Sequence, residues 1–205
     1  MSRAFSCFPS GKIYRIEELE KHLSFKYLPQ NSFESPEAER EIKERGLQKH
    51  KDGGVSAKSQ ELGAKFIDQI RAAYIPEVSI RYLNATLGHG LFLEEPLECG
   101  SYIGEYCGIV RENDLRRYFE PLNNYCYEYP VMDGLGKSYL IDATSGNLTR
   151  FINHSFQPNL KSVHVFYEGF YHAIFLANQR IEKGTQLCFN YGQSYWHIRG
   201  QPSQL

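Results

Sequence analysis

The chain has 205 residues, enough for one domain of ordinary size or a domain with a small appendage. Hydrophobic residues make up 41% and charged residues 23%, so the chain can bury a core and is not a disordered tail. The formal net charge of −1 argues against a polybasic protein that binds nucleic acid or a membrane surface. The unusual feature is aromatic: there are 15 Tyr and 13 Phe against one Trp.

The cysteines and the N-terminus bear on the compartment. Five scattered cysteines without a C-x-x-C pair predict reduced thiols, with neither a disulfide framework nor a zinc site, so no metal is expected. The first residues lack the apolar stretch of roughly 7–15 residues that a signal peptide needs, and no run of about 18 apolar residues could span a membrane. We therefore expect a soluble, intracellular protein without a membrane partner.

Three helices are predicted in the first 77 residues. Apolar residues recur at helical spacing over 13–25. The motif Ser35-Pro36-Glu37 predicts the start of a second helix, with a capping hydroxyl followed by proline at the first helical position. Gly46 is expected to end that helix. An apolar stripe over 62–74 marks a third helix, which Pro76 ends.

From Val78 onward, short runs rich in β-branched and aromatic residues alternate with Gly, Asn and Asp, a pattern typical of short strands. These runs lie at 78–83, 90–93, 101–110, 125–132, 138–142, 162–168, 171–177 and 186–191. Gly169 between two of them predicts a hairpin, and the segment 111–121 predicts a short helix. We predict an α+β fold, with a helical region at 1–77 and a β domain of small sheets at 78–205 that carries an inserted segment at about 111–137.

Most familiar catalytic motifs are absent: the sequence has no phosphate loop, no H-E-x-x-H and no G-x-S-x-G. Gly88-His89-Gly90 is a bare G-x-G between two extended runs. By itself this pattern is more often a tight turn than a ligand site, although glycines let a backbone approach a ligand closely and turn amides can bind a carboxylate.

The most informative stretch is IDATSGNLTRFINHSFQPN at 141–159, where hydrogen-bonding side chains alternate with apolar ones. Its polar members include Asn147, Arg150, Asn153, His154, Ser155 and Asn159. One interpretation is a buried, hydrogen-bonded turn. The other is a site for a polar ligand such as a nucleoside, because several amide side chains surround a single histidine.

Four segments in this order resemble the SET-domain protein lysine methyltransferases. They are GHGLF at 88–92, EYCG at 105–108, DATSGNLTRFINHSFQPN at 142–159 and QLCFNYG at 186–192. The resemblance covers about 78–200, and the insertion and the YWHIRG ending are most similar to the stand-alone SET proteins of obligate intracellular bacteria. It implies a fold of several short sheets with a C-terminal pseudoknot, a topology that sequence patterns alone would not suggest because knotted chains are rare.

The resemblance also implies S-adenosylmethionine as cofactor and S-adenosylhomocysteine as product. The backbone of the G-x-G turn should hold the amino-acid end of the cofactor, and the Asn–His pair should contact its adenosine. The candidate cofactor-binding residues are Gly88, His89, Gly90, Tyr125, Arg150, Asn153, His154 and Trp196. Trp196 either covers the adenine or caps the core.

The family assigns the catalytic positions to Tyr106 and Tyr191, beside the lysine amine. Releasing the proton of a lysine with a pKa of ~10.4 costs about 4.6 kcal/mol at neutral pH. An apolar aromatic channel and a nearby sulfonium both lower that pKa, so the amine can attack without a carboxylate base. Phe189 stands where the family sets product number, and phenylalanine there predicts di- or trimethylation.

Some positions depart from the family pattern. Ile109 and Asn190 replace the usual acids, Phe156 stands where many members have Cys, and the flanking zinc-binding segments are missing. The side chains that could close the lysine channel instead are Tyr195, Trp196 and Ile198.

The expected substrate is a basic protein, without direct nucleic-acid binding. It would be a eukaryotic histone if the protein is exported into a host nucleus as an effector that regulates chromatin, or a histone-like protein if it stays in the bacterial cytoplasm. Acidic residues could steer a cationic tail or simply be solvated; they are Glu94, Glu95, Glu98 and Glu105. The alternatives are an inactive SET module that binds cofactor or lysine tails, and a scaffold that dimerises through the apolar stripe of Leu62, Phe66 and Ile70.

Overall fold

The computed structural model describes residues 4–8, 12–113, 123–132 and 137–200. The helices are α1 (Ile16–Leu23), α2 (Pro36–Lys51), α3 (Ala57–Arg71) and α4 (Gln193–Arg199), with a 3-10 turn at Leu148–Phe151. The strands are β1 (Ala4–Phe8), β2 (Lys12–Arg15), β3 (Lys26–Tyr27), β4 (Ser32–Phe33), β5 (Val78–Asn84), β6 (Gly88–Leu93), β7 (Tyr102–Glu105), β8 (Ile109–Glu112), β9 (Cys126–Met132), β10 (Ser138–Asp142), β11 (Ser145–Gly146), β12 (Asn153–His154), β13 (Leu160–Tyr167), β14 (Phe170–Ala177) and β15 (Cys188–Phe189).

The three N-terminal helices exist as predicted, but their boundaries differ. Helix α1 begins only at Ile16, and α3 ends at Arg71, so Pro76 does not end it. The hydroxyl of Ser35 accepts the N–H of Ala38 and caps α2, as the motif predicted. The prediction that Gly46 ends α2 is wrong, because the helix continues to Lys51. Gly46 is instead a contact position, since a Cβ there would lie 2.0 Å from the carbonyl oxygen of Gly169.

Helix α3 also has a glycine at its contact with the β13–β14 hairpin. A Cβ on Gly63 would lie 2.2 Å from the carbonyl oxygen of Phe166. The two glycines therefore let α2 and α3 approach the backbone of the β13–β14 hairpin, which forms around Gly169 as predicted. Phe66 and Ile70 of the apolar stripe are buried against that hairpin, so the stripe packs within the chain.

The N-terminal third also contains four strands that the sequence patterns did not predict. Strand β1 pairs in parallel with β5, and β4 pairs in parallel with β8. Strand β3 pairs in parallel with β11. Residues 13–15, predicted as the start of the first helix, belong to β2 at the edge of the first sheet. The N-terminal region is therefore joined by backbone hydrogen bonds to the part of the chain that follows Val78.

The strands form five small sheets within the described ranges. Their orders are β2-β1-β5-β6, β4-β8-β10-β9, β11-β3, β12-β15 and β13-β14-β7. The run predicted at 101–110 is split into β7 and β8. Of the helix predicted at 111–121, Arg111 and Glu112 belong to β8, and 114–121 lie outside the described residues.

The parallel pair β12–β15 brings the two most specific motifs together. Asn153 lies opposite Cys188, and His154 lies opposite Phe189. The 34 residues between the paired positions contain the β13–β14 hairpin, so this ladder closes a long loop around it. This pairing places the Asn–His segment beside the segment that leads to Tyr191, and the pseudoknot itself stays a prediction. In the part of the chain that the structure describes, no helix has both the length and the apolar character to cross a bilayer.

Candidate active site

A cleft of about 1970 Å³ lies between the β5–β6 turn, β9, the segment 150–157 and α4. Pockets for a single small ligand are typically about 300–1,000 Å³, so this cleft has room for a nucleoside-sized ligand and a second segment beside it. Leu23 and Ser24 at the end of α1 also line it. The N-terminal region thus contributes to the cleft, which no motif in that region indicated.

One end of the cleft joins the G-x-G turn to the Asn–His segment. The side-chain amide of Asn153 donates to the carbonyl oxygen of His89 at 3.1 Å. Gly88 has a φ of +67°, a conformation that glycine adopts without strain. Gly90, the third predicted residue of this turn, does not line the cleft; a Cβ there would lie 2.7 Å from the amide nitrogen of Gln186.

His154 presents a hydrogen-bond donor to this end of the cleft. Its Nδ1 accepts the backbone N–H of Tyr191 at 3.2 Å, and burial lowers its pKa from 6.5. The neutral ring therefore carries its hydrogen on Nε2. That atom is buried and has no partner among the described residues.

The indole nitrogen of Trp196 is a second buried donor without a partner in the described part of the chain. The rings of Trp196 and His154 lie 4.9 Å apart, and both line the cleft. Two adjacent buried donors without acceptors are costly unless a ligand supplies the acceptors. A purine with ring nitrogens would satisfy them, so this corner fits the adenosine of the expected cofactor.

Arg150 and Tyr125 form the next part of the wall. The guanidinium of Arg150 lies 3.9 Å from the ring centroid of Tyr125 and 4.9 Å from that of Phe25. Its Nε donates to the carbonyl oxygen of Ala143 at 2.8 Å. The cation is therefore held in place between two aromatic faces, one of them supplied by the N-terminal region.

The two predicted catalytic tyrosines both line the cleft. The hydroxyl of Tyr106 donates to the carbonyl oxygen of Tyr125 at 2.9 Å, and that of Tyr191 donates to the carbonyl oxygen of Ile152 at 2.9 Å. Burial raises the pKa of both phenols well above 10. Both stay neutral at physiological pH, with their hydrogens committed to carbonyls and their oxygen lone pairs available to accept.

Aromatic rings surround these hydroxyls. Phe189 lies 4.8 Å from Tyr191 and 4.8 Å from Phe175, measured between ring centroids. Tyr127 lies 5.3 Å from Tyr106 and 6.2 Å from Phe189. Sequence reasoning missed Tyr127 and Phe175; the inward alternation of Tyr127, Tyr129 and Val131 along β9 was the available signal.

Comparison with known proteins decides the family. The model of the SET domain matches residues 88–192, slightly more than half of the chain. This chain belongs to the SET-domain family. It is 34% identical over 128 residues to human histone-lysine N-methyltransferase EHMT1, covering 58% of this chain and 9% of that protein. It is 36% identical over 109 residues to the histone-lysine N-methyltransferase trithorax of Drosophila virilis, covering 51% of this chain and 3% of that protein. The chain thus spans less than a tenth of the length of either relative.

Two solved structures are similar to this SET domain. A complex of KRYPTONITE with mCHH DNA, H3(1-15) peptide and SAH matches with a TM-score of 0.47 and 27% identity, over 57% of this chain and 23% of that one. Arabidopsis thaliana SUVH6 in complex with SAM matches with a TM-score of 0.49 and 26% identity, over 57% of this chain and 27% of that one.

Helix α4 directly follows the residues that match the SET domain and packs against Tyr191, one of the two catalytic candidates. Tyr195 packs edge-on to Tyr191 at 4.7 Å between ring centroids. Arg199 donates to the carbonyl oxygen of Asn123 at 2.5 Å and to the side-chain oxygen of Asn124 at 3.0 Å. Helix α4 is thus held across the cleft by Arg199. The side chain of Ile198, the third expected closing residue, is outside the described ones.

The acidic residues proposed to steer a substrate are engaged elsewhere. Glu94 is bonded to Ser79 and Arg81, Glu95 lies 3.7 Å from Lys183, and Glu98 pairs with Arg180. Glu105 is buried beside His172. None of the four lines the cleft, where the described acidic side chain is that of Glu128. These contacts favour the solvated or structural interpretation of the four residues, and steering of a substrate by them stays a prediction.

Proposed function

We propose that this SET-domain protein is a protein lysine N-methyltransferase that uses S-adenosylmethionine and releases S-adenosylhomocysteine. The observation that carries the proposal is the neutral phenol pair of Tyr106 and Tyr191 beside the buried, unpartnered donors of His154 and Trp196. The first pair suits an amine, and the second pair suits a purine. The names of the relatives, both histone-lysine N-methyltransferases, point to the same reaction.

The residues at the G-x-G end would hold the cofactor, which supplies a methyl group on a positively charged sulfur. His154 and Trp196 would donate to the adenine, while the fixed backbone of Gly88 and His89 would bind the amino-acid end. Arg150, held between Phe25 and Tyr125, would support that wall. Gly90 would not contact the cofactor directly. It would shape the turn by packing closely against Gln186.

The aromatic channel would prepare the lysine. Tyr127 and Phe189 line the cleft, and Phe175 packs against Phe189. This aromatic wall would exclude water, and desolvation would lower the pKa of an entering ammonium. Neither phenol can act as a base, because burial keeps both protonated. Their oxygens would instead accept N–H bonds and align the amine lone pair, and alignment is the main contribution to the rate.

We further propose a basic protein substrate, a histone or a histone-like protein, and di- or trimethyl-lysine as product because Phe189 leaves room that a tyrosine would fill. We also propose that the protein belongs to the stand-alone SET proteins of intracellular bacteria. It would act either on host chromatin or in the bacterial cytoplasm. Residues 78–205, with the inserted segment at about 111–137, would form the catalytic domain, and 1–77 the region packed against it.

The deciding experiment measures methyl transfer from labelled cofactor to mixed histones and to bacterial histone-like proteins. Tyr191→Phe should reduce transfer by about 10²-fold or more while cofactor binding by calorimetry persists, since the lost hydroxyl aligns the amine and does not hold the cofactor. Tyr74→Phe, an exposed tyrosine outside the cleft, is the matched control and should keep full activity. Cofactor binding without transfer to any substrate would favour an inactive binding module.

A further inference from the structure

Two hydroxyl groups meet behind the aromatic wall of the cleft. The phenol oxygen of Tyr127 lies 2.5 Å from Oγ of Ser162. Tyr127 belongs to β9 and Ser162 to β13, which lie in different sheets. The bond is therefore a tie between two sheets, formed where burial raises the pKa of the phenol.

The position of this tie connects it to the channel. The ring of Tyr127 forms part of the wall, 5.3 Å from Tyr106 and 6.2 Å from Phe189. Ser162 lies directly opposite Phe175 in the β13–β14 ladder, and the ring of Phe175 lies 4.8 Å from that of Phe189. Ser162 itself does not line the cleft, so the phenol is drawn away from the space that a lysine would enter.

A second contact supports the same arrangement. His164, two residues beyond Ser162 on β13, bonds through Nε2 to the carbonyl oxygen of Glu128 at 3.1 Å. Its ring lies edge-on to that of Tyr127 at 5.5 Å. Because residues i and i+2 of a strand share a face, β13 holds β9 at two adjacent points.

We propose that the Tyr127–Ser162 pair, together with Phe189, determines how many methyl groups the enzyme adds; this rests on the function proposed above. A hydroxyl in a channel wall can hold a water molecule or bond the amine, and either occupies space that an N-methyl group needs. Ser162 engages the phenol of Tyr127 and prevents this. Without Oγ of Ser162, the buried phenol would take a new partner from the channel, because leaving it unpaired is costly.

The test is the distribution of methylation states on the substrate, measured by mass spectrometry under excess cofactor. Ser162→Ala should slow the second and third transfers relative to the first by about five- to tenfold, the effect expected from one hydrogen bond. Ser162→Thr keeps a hydroxyl on a β-compatible side chain and should keep the wild-type distribution. Thermal unfolding of each variant separates a specific effect from a loss of fold.

The double variant makes the inference specific. The variant that combines Ser162→Ala with Tyr127→Phe has no phenol hydroxyl that could turn toward the channel. The wild-type distribution of methylation states should therefore return. An unchanged distribution in Ser162→Ala, failure of the double variant to restore it, or monomethyl-lysine as the sole wild-type product would overturn this inference and leave the methyltransferase function standing. Cofactor binding without any transfer by the wild type would overturn the proposed function, and this inference with it.

Discussion

The side chain of Asn31 bridges the two ends of the segment that carries Tyr106. Its amide donates to the carboxylate of Glu105 at 2.9 Å, and its carbonyl oxygen accepts the N–H of Gly108 at 3.0 Å. Glu105 is 5% exposed, and the carboxylate oxygen that accepts from Asn31 also lies 2.7 Å from Nδ1 of His172. A residue of the N-terminal region therefore fixes the backbone on both sides of a proposed catalytic tyrosine.

Replacing Asn31 should consequently affect both stability and turnover. Asn31→Ala leaves Gly108 N–H without its acceptor and Glu105 with one partner fewer, which should cost about 1–3 kcal/mol in unfolding free energy. The rate of single-turnover methyl transfer should fall by a larger factor than cofactor affinity does. The reason is that Tyr106 lies between Glu105 and Gly108, the two residues that Asn31 contacts. Gln30→Ala is the control, since that side chain bonds to the carbonyl oxygen of Arg71. Equal effects of the two substitutions on turnover would contradict this assignment.

Helix α2 offers a test of close packing. Gly46→Ala should gain about 1 kcal/mol in helix propensity. It should still destabilise the protein by about 1–3 kcal/mol, since the new methyl group would lie 2.0 Å from the carbonyl oxygen of Gly169 and force the helix off the hairpin. Chemical denaturation measures the difference. Glu44→Ala, at an exposed position of the same helix, should change stability by no more than about 0.5 kcal/mol.

The same glycine shows where sequence reasoning reached its limit. Gly46 follows the sequence pattern of a helix end, yet it lies inside α2. Its lack of a side chain lets the helix approach Gly169, a residue more than 100 positions away along the chain. The short strands of the N-terminal region were missed for a similar reason. Strand β3 has two residues and β4 has two, so neither carries a detectable alternation, and both form because a partner strand is present.

Motif-bearing positions were more predictable than the cleft as a whole. The α+β class, the hairpin at Gly169 and the SET family followed from residue patterns and motif order. Tyr127, Ser24 and Phe25 line or support the same cleft without belonging to any motif. Their roles depend on which sheets and helices pack together, and local sequence does not encode that.

Product number should respond to a single hydroxyl at Phe189. The ring is buried among Phe175, Tyr191 and Tyr127, so Phe189→Tyr places a phenol oxygen in the channel wall. We expect the product to become monomethyl-lysine, with the first transfer retained. Mass spectra of the product under excess cofactor measure this. Phe156→Tyr, at an exposed ring near the cleft mouth, is the control and should leave the distribution unchanged.

The pH dependence of cofactor binding should follow His154. Burial lowers its pKa from 6.5, so the folded protein favours the neutral ring whose Nδ1 accepts the N–H of Tyr191. Below about pH 6.5 the unfolded chain binds the proton more readily than the folded one, so stability is complete above that pH and falls as the pH drops further.

The melting temperature should therefore be constant from about pH 7 to 8 and decline below about pH 6.5. Calorimetric cofactor affinity should decline at a lower pH than that, where the folded ring itself takes up a proton. His154→Asn cannot titrate and should flatten the decline of cofactor affinity, at the expense of weaker binding. The melting temperature of that variant should still fall at low pH, because burial also lowers the pKa of His89 and His164. His89 is the necessary comparison, because burial also lowers its pKa and its ring lines the same cleft. His89 contacts Asn153 through its backbone carbonyl oxygen, so His89→Gln should keep the decline of cofactor affinity. If the pH profile of cofactor affinity flattened in His89→Gln and stayed unchanged in His154→Asn, the titrating group would be His89 and this prediction would be wrong.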